Sequence, residues 1–424
     1  MSDDVLYGVV RRRVLGNGLE VAAFATGHVP LVSSVLWYRV GAAAEERSFG
    51  GAAHFLEHMM FKGSAAFGPG EVDRLTQKLG GANNAFTGHD STAYYFQFAS
   101  DCWEVALDVE ADRMRGLRLD PGEVDHERQV ILEEIAMYES DPWDALERRV
   151  QALLLGDHPY ARSVLGTPAE LRAAGAEELR AFQRDFYSPS NAVLVVAGDI
   201  AEAALDAVEC RFGDLPPGSA PHRGAGSPAP RGGQRRLQRR HGELARFLWS
   251  VVAPAWGDSR HPALRLLAQL LTEGKSSLLH RALVEEGQLC SWVAADVASS
   301  LEPGAMSLAA ELLPGVEPAR VEEELFGLLE TILAGGVAGG DFERARRTFE
   351  ADWIFGHERI HQRALTLASA LAHFDAEFPR RYLDRVLSAD LDEVLAAGRE
   401  TLVRDSGVVG WSLPADNGAA PEEP

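Results

Sequence analysis

Residues 50–64 read Gly50-Gly51-Ala52-Ala53-His54-Phe55-Leu56-Glu57-His58-Met59-Met60-Phe61-Lys62-Gly63-Ser64, with His54, Glu57 and His58 in H-x-x-E-H spacing. A helix is expected across His54–Phe61. On it, the two histidines at i and i+4 share one face about one turn apart, so both imidazoles can reach a single ion. Glu57 projects from the adjacent position, beside that ion. A catalytic zinc takes three protein ligands and keeps one position for water, whose pKa it lowers to about 7. Glu57 is then placed to take the water's proton and pass it to a leaving amine.

The third ligand is expected to be a carboxylate from the same half of the chain. The stretch Glu127-Arg128-Gln129-Val130-Ile131-Leu132-Glu133-Glu134-Ile135 supplies it. Asp120, Pro121 and Glu123 make a helix start, as cap, first-turn proline and capping-box acid. Glu127 and Glu134 are seven residues apart and share a face, whereas Glu133 points about 100° away. Glu134 is therefore assigned as ligand and Glu127 as the outer carboxylate that orients the site, since metal ligands need such partners.

Outward from this motif, strands and helices mix without regular βαβ alternation, which indicates an α+β fold. Val9–Val14, a turn at 15–18 and Leu19–Phe24 read as a β-hairpin. Val32–Val40, Ala93–Phe98 and Asn191–Ala197 read as strands, an extended stretch starts at Gly80–Gly81, and helices fit Trp103–Leu117 and Glu123–Tyr138. The second half resembles a faded copy of the first. VSSVLWYRVGA matches FLWSVVAPAWG, and Gly63 set on Gly274 gives an offset of 211 (274 − 63). His54, Glu57 and His58 then fall on Arg265, Ala268 and Gln269, so the copy keeps the architecture and loses the ligands. Four segments follow: a metal-bearing domain over 1–215, a Pro/Gly-rich linker over 216–234, a homologous domain without ligands over 235–413, and a disordered acidic tail over 414–424.

The 424 residues carry 41 Lys+Arg against 63 Asp+Glu, a net charge of −22, which argues against nucleic acid as a partner. Cys102, Cys210 and Cys290 are too few and scattered for a disulfide framework and form no CxxC pair, so buried, reduced thiols are expected. The first residues lack the apolar core of a signal peptide, and no run approaches the ~18 apolar residues of a membrane helix. These features indicate a cytoplasmic protein with no membrane association.

The text GGAAHFLEHMMFKGS, GGANNAFTGHDSTAYYF, ERQVILEEIAMYESDPWD, HPYARSVLGTPAEL and FYSPSNAVLVVAGDI resembles the pitrilysin/insulinase zinc metallopeptidases, in their mitochondrial processing peptidase-like branch. The likeness covers most of residues 10–200. It implies two homologous domains, each a mostly antiparallel sheet packed with helices, facing each other around a chamber. It also implies one zinc per chain, endopeptidase cleavage of peptides or unfolded segments, and an edge strand bearing Asn84, Ala85 and Thr87 that pairs with substrate by β-augmentation.

One departure bears on partners. Self-sufficient relatives place an Arg and, seven residues on, a Tyr in the second domain, as fixed donors to developing negative charge. Here Val284 and Ser291 stand at those positions, and Arg281 is three residues out of register. The chain thus resembles the zinc-bearing subunit of bacterial heterodimeric members, in which a homologous chain carries the Arg/Tyr pair. The competing reading is a non-catalytic peptide-binding or scaffolding subunit. Relatives of that kind lose the metal residues that this chain keeps.

His357-Glu358-Arg359-Ile360-His361 is a literal HExxH, the ordinary zincin spacing. It has no clear downstream carboxylate, and Phe349–Ala372 reads as one amphipathic helix of the second domain, with exposed histidines. His89 and His158 are expected to serve local turn hydrogen bonding.

Overall fold

The computed structural model describes residues 8–27, 29–46, 49–218 and 235–414. Residues 219–234 of the expected linker and 415–424 of the expected tail lie outside the described residues. The chain forms two compact units: Met1–Ile135, Arg162–Ala225 and Ile354–Pro379 in the first, and Ala136–Ala161, Gly226–Trp353 and Arg380–Pro424 in the second.

The first unit is built on a six-stranded sheet. Its strands are β1 (Arg11–Val14), β2 (Glu20–Ala25), β3 (Leu31–Tyr38), β4 (Ala82–Thr87), β5 (Thr92–Ala99) and β6 (Ala192–Gly198), in the order β1-β2-β6-β3-β5-β4. The expected hairpin is present: β1 and β2 pair antiparallel from Val14↔Glu20, and Leu15 N donates to Leu19 O at 2.9 Å across the turn. β6 is buried along its whole length, between β2 on its parallel side and β3 on its antiparallel side. An unbroken apolar run is what a strand covered on both faces requires.

The second unit holds β7 (Arg235–Arg240), β8 (Arg246–Ala253), β9 (Cys290–Val297), β10 (Gly304–Leu312) and β11 (Val408–Leu413), in the order β7-β11-β8-β10-β9. That order and its strand senses repeat β2-β6-β3-β5-β4: one parallel pair followed by three antiparallel pairs. The duplication read from the sequence is thus a duplication of sheet topology, with β1 paired outside the shared five-strand order among the described residues.

Each sheet is covered by a helix that is remote in sequence. Ile360–His373 packs Ala364, Leu367, Ala368 and Leu371, spaced i, i+3, i+4 and i+7, against Phe24, Val35, Trp37 and Val195 of the first sheet. Within the second unit, Pro142–Leu155 packs on β8 and β11. The approach is close enough that a Cβ on Gly410 would stand 2.5 Å from Val150. The expected single helix over 349–372 is instead two, Gly339–Gly356 and Ile360–His373, with a turn between them. The second of these belongs to the first unit, because its apolar stripe completes the core on that sheet.

Candidate metal centre

The first five helices in chain order are α1 (Ala52–Met59), α2 (Glu71–Lys78), α3 (Glu104–Gly116), α4 (Pro121–Ser140) and α5 (Pro142–Leu155). α1 buries Phe55, Leu56 and Met59 completely, which turns His54, Glu57 and His58 away from the core. Its first turn has no cap of its own. Instead Glu45, from the preceding segment, accepts from Gly51 N at 2.8 Å and from Ala53 N at 2.9 Å. Burial raises the Glu45 carboxyl to about 7 despite those two bonds. α4 starts as expected, with Asp120 Oδ1 accepting from Gly122 N at 2.9 Å. It buries Val124, Glu127, Ile131 and Ile135 and leaves Glu133 in solvent.

The two helices bring the motif residues together. Glu134 Oε2 lies 3.7 Å from His54 Nε2 and 3.5 Å from His58 Nε2. Ligand atoms of all three residues fall within 4.8 Å of one another. These separations are too long for hydrogen bonds, and Glu134 Oε2 is buried without a hydrogen-bond partner among the described residues. Two ligands each about 2.1 Å from a tetrahedral ion stand about 3.4 Å apart. The donor set, two imidazoles and a carboxylate, therefore fits a zinc ion in chemistry and in spacing.

Outer contacts aim these ligands. His58 Nδ1–H donates to Glu127 Oε1 at 2.8 Å, which directs Nε2 toward Glu134, and Lys62 Nζ sits 2.6 Å from Glu127 Oε2. Burial pushes the Glu127 carboxyl up, but His58 and Lys62 outweigh it and hold it below the usual range. Burial also works against the His58 cation, yet Glu127 and Glu134 raise its pKa to about 9. His54 goes the other way, lowered to about 4 by burial and then by His58, which leaves its lone pair available. Glu134 is held low, foremost by His58. Burial raises Glu57, with a bond from Thr87 opposing.

Asn84, Ala85 and Thr87 all lie on β4, the edge strand of the first sheet. Asn84 is exposed and its Oδ1 accepts from Ala85 N at 2.9 Å. Thr87 does something unexpected: its Oγ1 donates to Glu57 Oε2 at 2.5 Å. Thr87 as a partner of Glu57, Glu45 as the cap of α1 and Lys62 as a partner of Glu127 were not read from the sequence. Lys62 follows His58 by four residues, a spacing that could have flagged it. Glu45 and Thr87 had no local signal, because they meet α1 only through folding.

Several histidine expectations need correction. His357 and His361 share no helix: the chain leaves Gly339–Gly356 before His357 and enters the next helix at Ile360. His357 is buried, with Nε2 3.1 Å from Thr366 Oγ1, and His361 Nδ1 is 3.1 Å from Ser33 Oγ. His89 Nε2 lies 3.0 Å from Arg162 O, a contact far along the chain. His158 does accept locally from Tyr160 N at 3.2 Å, and its other nitrogen meets Glu302 at 3.0 Å. The three cysteines are free, but Cys210 is exposed rather than buried.

In the second unit, Arg265 pairs with Asp296 at 3.0 Å and Gln269 with Asp352 at 3.1 Å, polar contacts at the positions matched to His54 and His58. Ser291 is exposed and donates to Glu311 O at 3.2 Å. No helix among the described residues is long and apolar enough to cross a membrane.

Comparison with known proteins bears on this arrangement. Residues 21–168 match the model of the insulinase family (peptidase family M16), and residues 173–349 match that of the M16 peptidase inactive domain. An uncharacterized zinc protease of Mycobacterium leprae is 32% identical over 82% of this chain and 79% of its own length. One from Mycobacterium bovis is 30% identical over 94% of this chain and 92% of its own. The crystal structure of a protease from Helicobacter pylori superposes with a TM-score of 0.90 at 23% identity, covering 96% of this chain and 100% of that one. With consecutive stretches of the sequence matching both family models and a relative 32% identical over 82% of its length, the chain belongs to the insulinase (M16) peptidase family.

Proposed function

We propose that the chain is the zinc-bearing subunit of a cytoplasmic metalloendopeptidase that hydrolyses peptides or unfolded segments. The observation that carries this reading is the meeting of His54, His58 and Glu134 beside the Glu57 carboxylate. His54, His58 and Glu134 would hold one zinc ion. When bound, that ion supplies Lewis acidity to the attacking water and the peptide carbonyl. Glu57 keeps one oxygen on Thr87 and has the other without a hydrogen bond among the described residues, placed to take the water's proton and return it to the leaving amine. Glu127 fixes the His58 ring. β4 offers a sheet edge on which an extended peptide can pair alongside Asn84, Ala85 and Thr87.

Val284 and Ser291 supply no cation and no phenol, so a homologous partner chain carrying an Arg/Tyr pair would complete the contacts to the developing oxyanion. Three unpaired cysteines suit a reducing compartment.

Zinc content and cleavage of a quenched peptide library test this, with wild type beside Glu57→Gln, alone and with any homologous chain encoded next to it. The expected result is about one zinc per chain, cleavage only with the companion, and a Glu57→Gln variant that keeps metal and is inactive. Full activity of the isolated chain would remove the partner requirement. Absence of zinc, or a Glu57→Gln variant that cuts as wild type does, would overturn the site.

A further inference from the structure

We propose that Thr87 is a positioning residue for the base: its hydroxyl holds the Glu57 carboxylate in place, so the strand that docks substrate also sets the group that takes the water's proton. The inference rests on the metallopeptidase reading of this site and assigns Thr87 a part within it.

The contact is short, 2.5 Å from Thr87 Oγ1 to Glu57 Oε2, the range of a hydroxyl donating to a carboxylate. It is the one hydrogen bond to the Glu57 side chain among the described residues. Glu57 would otherwise swing about its own side-chain bonds, since no second hydrogen bond restrains its carboxylate among the described residues. Along β4, Asn84 and Phe86 are exposed while Asn83, Ala85 and Thr87 are half-buried. Alternation therefore turns Thr87 toward α1 and leaves the strand's unpaired backbone edge for a peptide.

Thr87 is also held more firmly than an edge-strand residue normally is. Its backbone pairs with Thr92 on β5, and Gly88 N donates to Ser91 O at 2.8 Å to close the turn that follows. That turn is clamped by Ala42 N to Gly88 O at 3.0 Å and by Ala43 N to His89 O at 2.8 Å. The clamp needs Gly41, where a Cβ would stand 2.2 Å from Gly88 O. Two residues beyond Ala43, Glu45 caps the start of α1. Residues 41–45 thus tie the end of β4 and the beginning of α1 into one hydrogen-bonded frame, and the Thr87–Glu57 bond spans it. The β-branched side chain restricts χ1, so the hydroxyl has little freedom to leave.

The variants Thr87→Val and Thr87→Ser, each assayed with any required partner present, give the test through kcat, KM and zinc content. Peptide binding is measured separately on zinc-loaded Glu57→Gln with and without Thr87→Val. Loss of a hydrogen bond to a charged group predicts about a ten- to hundredfold fall in kcat for Thr87→Val, with KM changed less than about twofold. Thr87→Ser should recover to within about fivefold of wild type. Zinc content should not change, and adding Thr87→Val to Glu57→Gln should leave peptide affinity unchanged.

A raised KM with kcat intact would make Thr87 a substrate contact and overturn the proposal, as would unchanged kinetics. Loss of zinc in both Thr87 variants would assign it to the metal site's framework instead, with the same consequence. If Thr87→Val does not fold, Thr87→Ala decides by the same readings. Wild-type turnover in Glu57→Gln would defeat the peptidase reading itself, a result separate from any Thr87 outcome.

Discussion

Glu127 Oε1 accepts from His58 Nδ1 at 2.8 Å, and this single bond decides which nitrogen of His58 faces Glu134. A carboxylate 4% exposed, flanked by an imidazole and the Lys62 ammonium, stays ionised despite its burial. It fixes the His58 ring and stands outside the cluster of His54, His58 and Glu134.

Replacing Glu127 with Gln should therefore weaken zinc affinity about ten- to hundredfold, the usual cost of losing an outer partner of a metal ligand. Competition with a chromophoric chelator measures it. Unaltered affinity would mean that α1 packing alone orients His58.

Zinc binding should be proton-linked. His58 has its pKa raised to about 9, foremost by Glu127 and Glu134 acting against burial, so at neutral pH a proton occupies the site and must leave when the ion enters. Apparent affinity should rise about tenfold per pH unit up to roughly pH 9 and then level off. Calorimetry in buffers of different ionisation heat should show about one proton released per ion at pH 7. Affinity independent of pH between 6 and 8 would contradict this.

Glu45 links folding to pH in the direction opposite to a salt-bridged acid. Burial raises its pKa to about 7, so between the unfolded value of 4.5 and 7 the folded chain keeps a proton that the unfolded chain has lost. Its contribution is fully present below 4.5 and fades as pH rises through 7, by about 3 kcal/mol at most. Wild type should lose stability relative to Glu45→Gln between pH 5 and pH 8 in urea melts at the two pH values. A constant difference would mean that Glu45 is ionised throughout.

The double change His357→Ala with His361→Ala should leave zinc content and turnover intact. His357 is buried against Thr366, and His361 packs on Tyr95 with ring centroids 4.3 Å apart. The expected cost is to stability, about 1–3 kcal/mol from buried polar groups left without partners. Lost activity with zinc retained would assign these histidines a function.

The local arithmetic of residues 54–58 and 127–134 put His54 with His58, and Glu127 with Glu134, on shared helix faces before any fold was known, because i, i+4 and i, i+7 spacings act irrespective of what a helix packs against, whereas the meeting of the two helices is tertiary. The hairpin at 11–25 and the buried strand β6 were legible for the same reason: their turn chemistry and apolar run are properties of neighbours in sequence. Tertiary structure alone decided the rest. It broke the apparent HExxH helix, since the stripe from Ala364 to Leu371 finds its burial on the first sheet and the chain must turn after Gly356 to bring it there. It also brought Glu45 to Gly51 and Thr87 to Glu57. The second pair is thirty residues apart, and no periodicity encodes a contact made only when an edge strand and a helix share one clamped frame.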